Sequence, residues 1–316
     1  MKNRYLPTLL CSVLHFLVDG LCCCCLFLAS GSAEWGNVVT IFMIYNLLAF
    51  ATQPFSGILA DKLRKKHWIQ LVSILLLMLA IITATISQTS GNNAWFVSTA
   101  VFLGLGNSLF HVWGGKQTAI TTGCDIRALG VFVSTGALGL SVGFMLCSWV
   151  TAYSFIIIIA QISLAYLSID NENVITVDTK SENNNKIITI GIIALIALFV
   201  MFRSFLGEKF SSGGGSETSV TTLLVGLLAM SGKISGGFLA KFFGNAKTFF
   251  AVTLTALICL ALKNYSPIIA SAGLFLINCT MPITLYWADK TLPGREGLAF
   301  GILAATLMPG YLLSLI

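Results

Sequence analysis

Charged residues are scarce in this sequence: Asp, Glu, Lys and Arg make up 9% of the 316 residues, against about 25% in an ordinary soluble domain. Polar segments longer than about 20 residues are also missing, which excludes long disordered regions. Hydrophobic residues instead make up 56% of the chain, and the mean hydropathy is +0.90. So much apolar surface along nearly the whole length exceeds what one buried core holds, and it predicts an all-α polytopic membrane protein.

Three sequence motifs of common enzyme classes are missing as well. The three histidines form no His-x-x-x-His pair, and the chain has neither a Gly-x-Ser-x-Gly elbow nor a phosphate-binding loop. The run Cys22 to Cys25 does not favour a metal site, because successive helical side chains point about 100° apart. The sequence therefore predicts no enzyme, no metal and no cofactor. It also predicts no nucleic-acid partner, since the basic residues that give the net charge of +6 lie between hydrophobic segments.

Eleven segments approach the roughly 20 apolar residues that cross a bilayer. With the amino terminus in the cytoplasm, fourteen basic residues fall on the inner side and two on the outer side. This bias predicts a multi-pass protein of the inner membrane with a cytoplasmic amino terminus. The segments are Leu6–Ser30, Val38–Ala60, Trp68–Ser87, Ala94–Trp113, Leu129–Trp149, Tyr153–Ile169, Ile187–Leu206, Val220–Ala240, Thr248–Leu262, Ile268–Trp287 and Leu298–Ile316.

A polar stretch and an internal repeat divide the chain into two halves. The stretch 170–186 reads as a cytoplasmic linker between a six-helix bundle at 1–169 and a five-helix bundle at 187–316. Gly57 to Asp61 closes the second segment as Gly237 to Lys241 closes the eighth. A six-plus-six plan is expected of a secondary transporter, so a twelfth helix is missing from this pattern. We expect such a protein to act as a monomer in the lipid bilayer.

Ionisable side chains inside the apolar segments are candidates for function, because each costs about 2.5–3.5 kcal/mol to insert. Asp19 lies about 20 Å into the first segment, near the midplane. His15 is one helical turn earlier, so the two side chains can share a proton. Asn107 and His111 form a similar pair in the fourth segment, and a polar patch shared by the two helices is a hypothesis. The alternatives are a structural hydrogen bond at Asp19 and an interfacial histidine at His111.

Two basic residues and a proline also lie inside the apolar segments. Arg203 in the seventh segment either extends its guanidinium to the interface or binds an anionic substrate group, and Lys233 in the eighth segment presents the same choice. Gln53-Pro54 predicts a kink in the second segment. The small residues Gly136, Gly139 and Gly143 predict close packing of the fifth helix against a neighbour.

The segment from Gly57 through Asp61 to the basic residues Lys62, Arg64 and Lys65 resembles the signature loop of the major facilitator superfamily. This resemblance implies a two-bundle fold and a loop that stabilises one conformational state. A narrower resemblance is to the fosmidomycin-resistance-like branch of drug exporters. It rests on His15-Phe-Leu-Val-Asp19, Gln53-Pro54, the stretch from Gly106 to His111, and Arg203-Ser204. It implies export in exchange for protons.

We therefore predict a secondary active transporter of a small molecule, with protons as the second partner. Asp19 and His15 are the predicted proton-coupling pair, and Asn107, His111 and Arg203 are predicted to line the substrate cavity. Two other classes remain open at this point. One is an integral-membrane enzyme that uses His15 or His111 as a base, and the other is a receptor or assembly subunit derived from a transporter.

Overall fold

The computed structural model describes residues 5–31, 35–63, 67–167, 186–211 and 219–315, and these residues are helical with short connections. Within these described residues, eleven helices are long and apolar enough to cross a membrane, which agrees with the predicted number. Arg64, Lys65 and most of the predicted linker lie outside the described residues. The helices, labelled α1 to α11, are Leu6–Ser30, Gly36–Lys62, His67–Ser90, Asn93–Thr122, Ile126–Met145, Trp149–Leu167, Lys186–Phe210, Thr221–Phe243, Asn245–Tyr265, Pro267–Thr291 and Glu296–Ser314.

Helix α4 is longer than the sequence predicts. Hydropathy ends the segment at Trp113, whereas the helix continues to Thr122 and stops at Gly123, whose φ of 67° is left-handed. Lys116, which the prediction placed in a cytoplasmic loop, therefore lies inside the helix. His111 lies eleven residues before the end, or about 16 Å. This distance favours a position inside the bilayer over an interfacial one, and the role of His111 stays a prediction.

The predicted irregularity at Gln53-Pro54 is present in α2. A π-helical turn at Leu47–Ala51 precedes a second α-helical segment, Gln53–Lys62. The disturbed backbone is compensated locally, because Gln53 Nε2 donates to the Ala49 carbonyl at 2.8 Å and Thr52 Oγ1 donates to the Leu48 carbonyl at 2.6 Å. Side chains thus satisfy carbonyl groups that a regular helix would pair with backbone N–H groups.

Glycines of α5 allow close contact with α1, as the small-residue pattern predicts. A methyl group at Gly139 would overlap the Phe16 carbonyl oxygen, and one at Gly143 would overlap the backbone of Gly20. The two helices therefore pack backbone against backbone along their length. This contact fixes how α1 is rotated and sets the direction of its polar residues.

The two most extensive contacts between the first six helices and the last five are those of α5 with α8 and of α2 with α11. They repeat the same contact: Gly57 of α2 abuts the backbone of Gly297 at the start of α11, and Gly237 of α8 abuts the backbone of Ile126 at the start of α5. Because the largest buried core includes residues from both halves, the division at 170–186 stays a prediction.

Asp125 fixes the start of α5. One carboxylate oxygen accepts from the backbone N–H of Arg127 at 3.1 Å, and the other accepts from Arg127 Nη2 at 2.7 Å and from the Tyr5 hydroxyl at 3.1 Å. The hydrogen bond from the Arg127 side chain lowers the pKa of Asp125 to about 2. The carboxylate is therefore charged throughout the neutral pH range and connects the starts of α1 and α5.

Candidate functional site

A cavity of about 520 Å³ lies between the first six helices and the last five. The cavity extends from the middle of the helices towards Glu208 of α7, and we call this side of the protein the Glu208 end. The opposite side, where Asp61 lies, is the Asp61 end. Its polar lining residues are His15, Asp19, Tyr45, Asn46, Gln53, Asn107, His111, Arg203, Ser204, Glu208, Lys233, Asn278 and Tyr311.

Four buried polar side chains meet on the cavity wall formed by α1 and α4. We call His15, Asp19, Asn107 and His111 the His–Asp cluster. Asp19 lies 3.3 Å from Nε2 of both histidines and accepts a hydrogen bond from Asn107 Nδ2 at 2.9 Å. The two imidazole Nε2 atoms are 2.7 Å apart. The structure thus brings together the two residue pairs that the sequence singles out on separate helices.

The hydrogen-bond pattern assigns the protons of the cluster. His15 Nδ1 lies 2.7 Å from the Phe132 carbonyl, which only accepts, so Nδ1 carries hydrogen. In neutral His15, Nε2 is then an acceptor, and His111 Nε2 donates to it. His15 Nε2 and Asp19 Oδ2 are in that state two acceptors 3.3 Å apart. A further proton on His15 Nε2 would face the His111 Nε2–H at 2.7 Å, so His111 would then carry its hydrogen on Nδ1 and accept at Nε2. With that change of tautomer the His15 imidazolium pairs with the carboxylate, and the cluster can hold one more proton.

The same donor atoms are a possible metal site. The ligand atoms of His15, Asp19 and His111 lie within 4.8 Å of one another. Two nitrogen ligands of a tetrahedral zinc ion, each 2.0–2.1 Å from the metal, would be about 3.3 Å apart. The 2.7 Å between the imidazoles is instead a hydrogen-bond distance. The geometry favours a proton over a metal ion at this position.

Aromatic and small residues enclose the cluster. The Phe132 ring stacks on His15 with 4.9 Å between ring centroids, and Phe300 of α11 lies 5.9 Å from Phe132. A methyl group at Gly136 would overlap both Asp19 and His15. Asp19 is therefore only 7% exposed, and it lines the cavity.

Arg203 and Lys233 lie on the opposite wall of the cavity, on α7 and α8. Because α7 continues to Phe210, Arg203 is seven residues from its end, or about 10 Å. Arg203 is 6% exposed, so its side chain is inside the protein rather than at an interface. This position favours a substrate contact over a guanidinium that extends to the membrane surface, and the role of Arg203 stays a prediction.

Asp61 connects α2 to α11 and α4. Its two carboxylate oxygens accept from the backbone N–H groups of Gly297 at 3.0 Å and Leu298 at 2.9 Å. Lys116 Nζ lies 3.0 Å from the same carboxylate. The anion therefore caps the amino terminus of α11 and pairs with a cation, and both contacts favour the state in which the Asp61 end is closed. Lys62 is exposed beside it.

We predict that Asp61→Asn lowers the transport rate severalfold and leaves equilibrium ligand affinity within about threefold. The amide loses the charge that pairs with Lys116 and accepts at one oxygen rather than two, while the cavity is unchanged. Initial rates in vesicles and equilibrium binding in detergent measure the two quantities. Loss of binding in a correctly folded variant would show that Asp61 acts at the substrate site.

Sequence reasoning did not single out three polar residues of the apolar segments as site residues, and two of them, Tyr45 and Gln53, line the cavity. The Tyr45 hydroxyl lies 3.2 Å from Asn107 Nδ2, and Gln53 lines the cavity in addition to bonding its own helix. Asp289 near the end of α10 is 4% exposed, and neither of its carboxylate oxygens has a hydrogen-bond partner. The sequence signal that could have identified all three is a polar side chain inside an apolar segment.

Comparisons with known proteins give the fold and no close relative. No family model and no curated protein sequence matches the chain. The E. coli fucose:proton symporter FucP in an outward conformation superposes with a TM-score of 0.75 at 11% identity, over 99% of this chain and 91% of that one. A bacterial homologue of the iron transporter ferroportin in an outward-facing state gives 0.57 at 14% identity, over 98% and 90%. The nucleoside transporter NupG gives 0.55 at 12% identity, over 99% and 91%. The chain therefore has the all-helical fold of major facilitator transporters, as predicted.

Proposed function

We propose that this protein is a secondary active transporter that moves a small molecule by alternating access. The proposal is supported by a central cavity between the two sets of helices and by the glycine contacts that close the Asp61 end. Its structural neighbours are transporters, two of them in outward-facing states. In this proposal α2 and α11 separate at the Asp61 end when the cavity changes the side to which it opens.

Protons drive the transport in this proposal, and the His–Asp cluster is the single observation that carries it. A buried carboxylate beside two imidazoles can hold one more proton when His111 becomes the hydrogen-bond acceptor of His15. Because the cluster lies on the cavity wall, proton uptake changes the charge that faces a bound substrate. Asp19 and His15 are the proposed coupling pair, with His111 as the third member and Asn107 as the donor that orients Asp19.

The finer features of the proposal follow from sequence. The positive-inside bias supports the inner membrane with the amino terminus in the cytoplasm. The resemblance to drug exporters supports efflux of a drug or metabolite. A monomer is the expected working unit, since the cavity is formed by helices of one chain.

Purified protein in lipid vesicles tests the function. A pH gradient is applied, and uptake of labelled fucose, uridine, benzoate and phenylphosphonate is followed with and without a protonophore. We expect at least one compound to accumulate with the gradient and to leave when the gradient is collapsed. Chemical conversion of a compound without accumulation would favour an enzyme, and binding without movement would favour a receptor. Either result contradicts the proposal.

A further inference from the structure

Arg203 and Lys233 are two cations on the cavity wall without an anionic partner. Within the described part of the chain neither forms an ion pair or a hydrogen bond, and Arg203 Nε is buried and unpaired. They belong to two consecutive helices of the chain, Arg203 to α7 and Lys233 to α8. This wall of the cavity is therefore positively charged.

Neither nearby carboxylate forms an ion pair with these cations, although Asp19 attracts Lys233 electrostatically. Asp19 is held by the two histidines and Asn107 on the other wall. Glu208, five residues beyond Arg203, lines the cavity towards its Glu208 end and forms no ion pair with Arg203 or Lys233. A buried cation without a partner is strongly unfavourable. Such an arrangement is expected where a ligand supplies the missing charge.

The rest of the cavity indicates the shape of that ligand. Apolar side chains line it between the two polar walls: Val133, Ala137, Leu140, Val225, Ala229 and Leu274. A volume of about 520 Å³ is within the range of about 300–1,000 Å³ that holds a small organic molecule. The guanidinium fork matches two oxygens of one oxyanion, and the ammonium group of Lys233 adds a compact charge.

We propose that the substrate is a small organic anion, in which a carboxylate, phosphate or phosphonate group binds Arg203 and Lys233 and an apolar body occupies the middle of the cavity. This inference rests on the proposed function, because the bound anion is a substrate only if the protein transports it. The binding site itself does not depend on transport. The two cations lie on the last five helices and the His–Asp cluster on the first six, so anion and proton bind on opposite walls.

Equilibrium binding to the purified full-length protein in detergent tests the inference. The probes are benzoate and phenylphosphonate, and their neutral counterparts are benzamide and diethyl phenylphosphonate. We expect at least one anion to bind about tenfold or more tightly than its neutral counterpart, and the comparison of the two anions identifies the preferred group. Arg203→Gln should raise the Kd of that anion at least about tenfold. Lys233→Met should raise it as well.

The control is Lys209→Gln, which removes a positive charge from the same helix as Arg203. Lys209 donates to the Ser314 carbonyl at 2.9 Å and does not line the cavity. We expect its Kd to stay within about twofold of the wild-type value. Folding is checked by thermal unfolding without ligand, where Arg203→Gln should melt at or above the wild-type temperature because it removes a buried unpaired charge.

Three results would overturn the inference. They are equal binding of the neutral probes, unchanged anion binding in a folded Arg203→Gln/Lys233→Met variant, and no anion binding to folded wild type at about 10 mM, where a Kd of 1 mM would give nearly full occupancy. Anion binding without proton-driven accumulation in vesicles would leave this site in place and contradict the proposed transport. The two failures are therefore distinguishable.

Discussion

Asp19→Asn is expected to abolish accumulation driven by a pH gradient and to leave exchange of labelled for unlabelled substrate intact. With one proton per substrate, a gradient of one pH unit supports about tenfold accumulation, since each unit is worth about 1.4 kcal/mol. The variant should stay at a ratio of about 1. The amide has nearly the volume of the carboxylate and still accepts from Asn107, but it cannot pair with an additional proton on His15.

The measurement uses the compound that the wild-type protein accumulates, followed in vesicles with a pH gradient alone and then in exchange without a gradient. Asp125→Asn is the matched control. It makes the same chemical change at a carboxylate outside the cavity, whose pKa of about 2 keeps it charged at neutral pH. This control should retain accumulation. An Asp19→Asn protein that still concentrates substrate with a pH gradient as the sole driving force would assign Asp19 a structural role.

Gly57→Ala is expected to open the Asp61 end and to slow transport at least about tenfold. The added methyl group would lie 2.7 Å from the Gly297 carbonyl carbon and 2.8 Å from Leu298 Cα. Both are backbone atoms, so neither can move aside without separating α2 from α11. The closed state loses stability, and the state open at the Asp61 end becomes more populated because it has no such contact.

Hydrogen exchange measures this change without added labels. The amide hydrogens of Gly297 and Leu298, which donate to Asp61 in the closed state, should exchange at least about tenfold faster in the variant, a change of about 1.4 kcal/mol. Gly36→Ala on the same helix is the control, because a methyl group there meets no atom within 4 Å. Unchanged exchange and transport in Gly57→Ala would show that this contact does not control the conformational equilibrium.

Local sequence predicts the elements of this protein well because each depends on neighbouring residues. The eleven apolar segments follow from hydropathy, and the pairs His15 with Asp19 and Asn107 with His111 follow from helical spacing. The exception is instructive: polar residues after Trp113 suggested a loop, yet α4 continues for nine residues. There Lys116 pairs with Asp61 and Gln117 accepts from the Tyr166 hydroxyl. Hydropathy does not detect such contacts.

Tertiary structure alone decides which polar residues face one another. The glycine contacts between α1 and α5 set the rotation that points Asp19 towards α4, and the continuation of α7 to Phe210 places Arg203 inside the cavity. Tyr45 and Lys233 join the site through the same packing. The sequence by itself determined the number of helices, their apolar character and the polar pairs on each. Contacts between residues far apart in the chain decided how the helices are rotated and how closely they approach. A helix carries side chains on all of its faces, and only packing against its neighbours selects the face that lines the cavity.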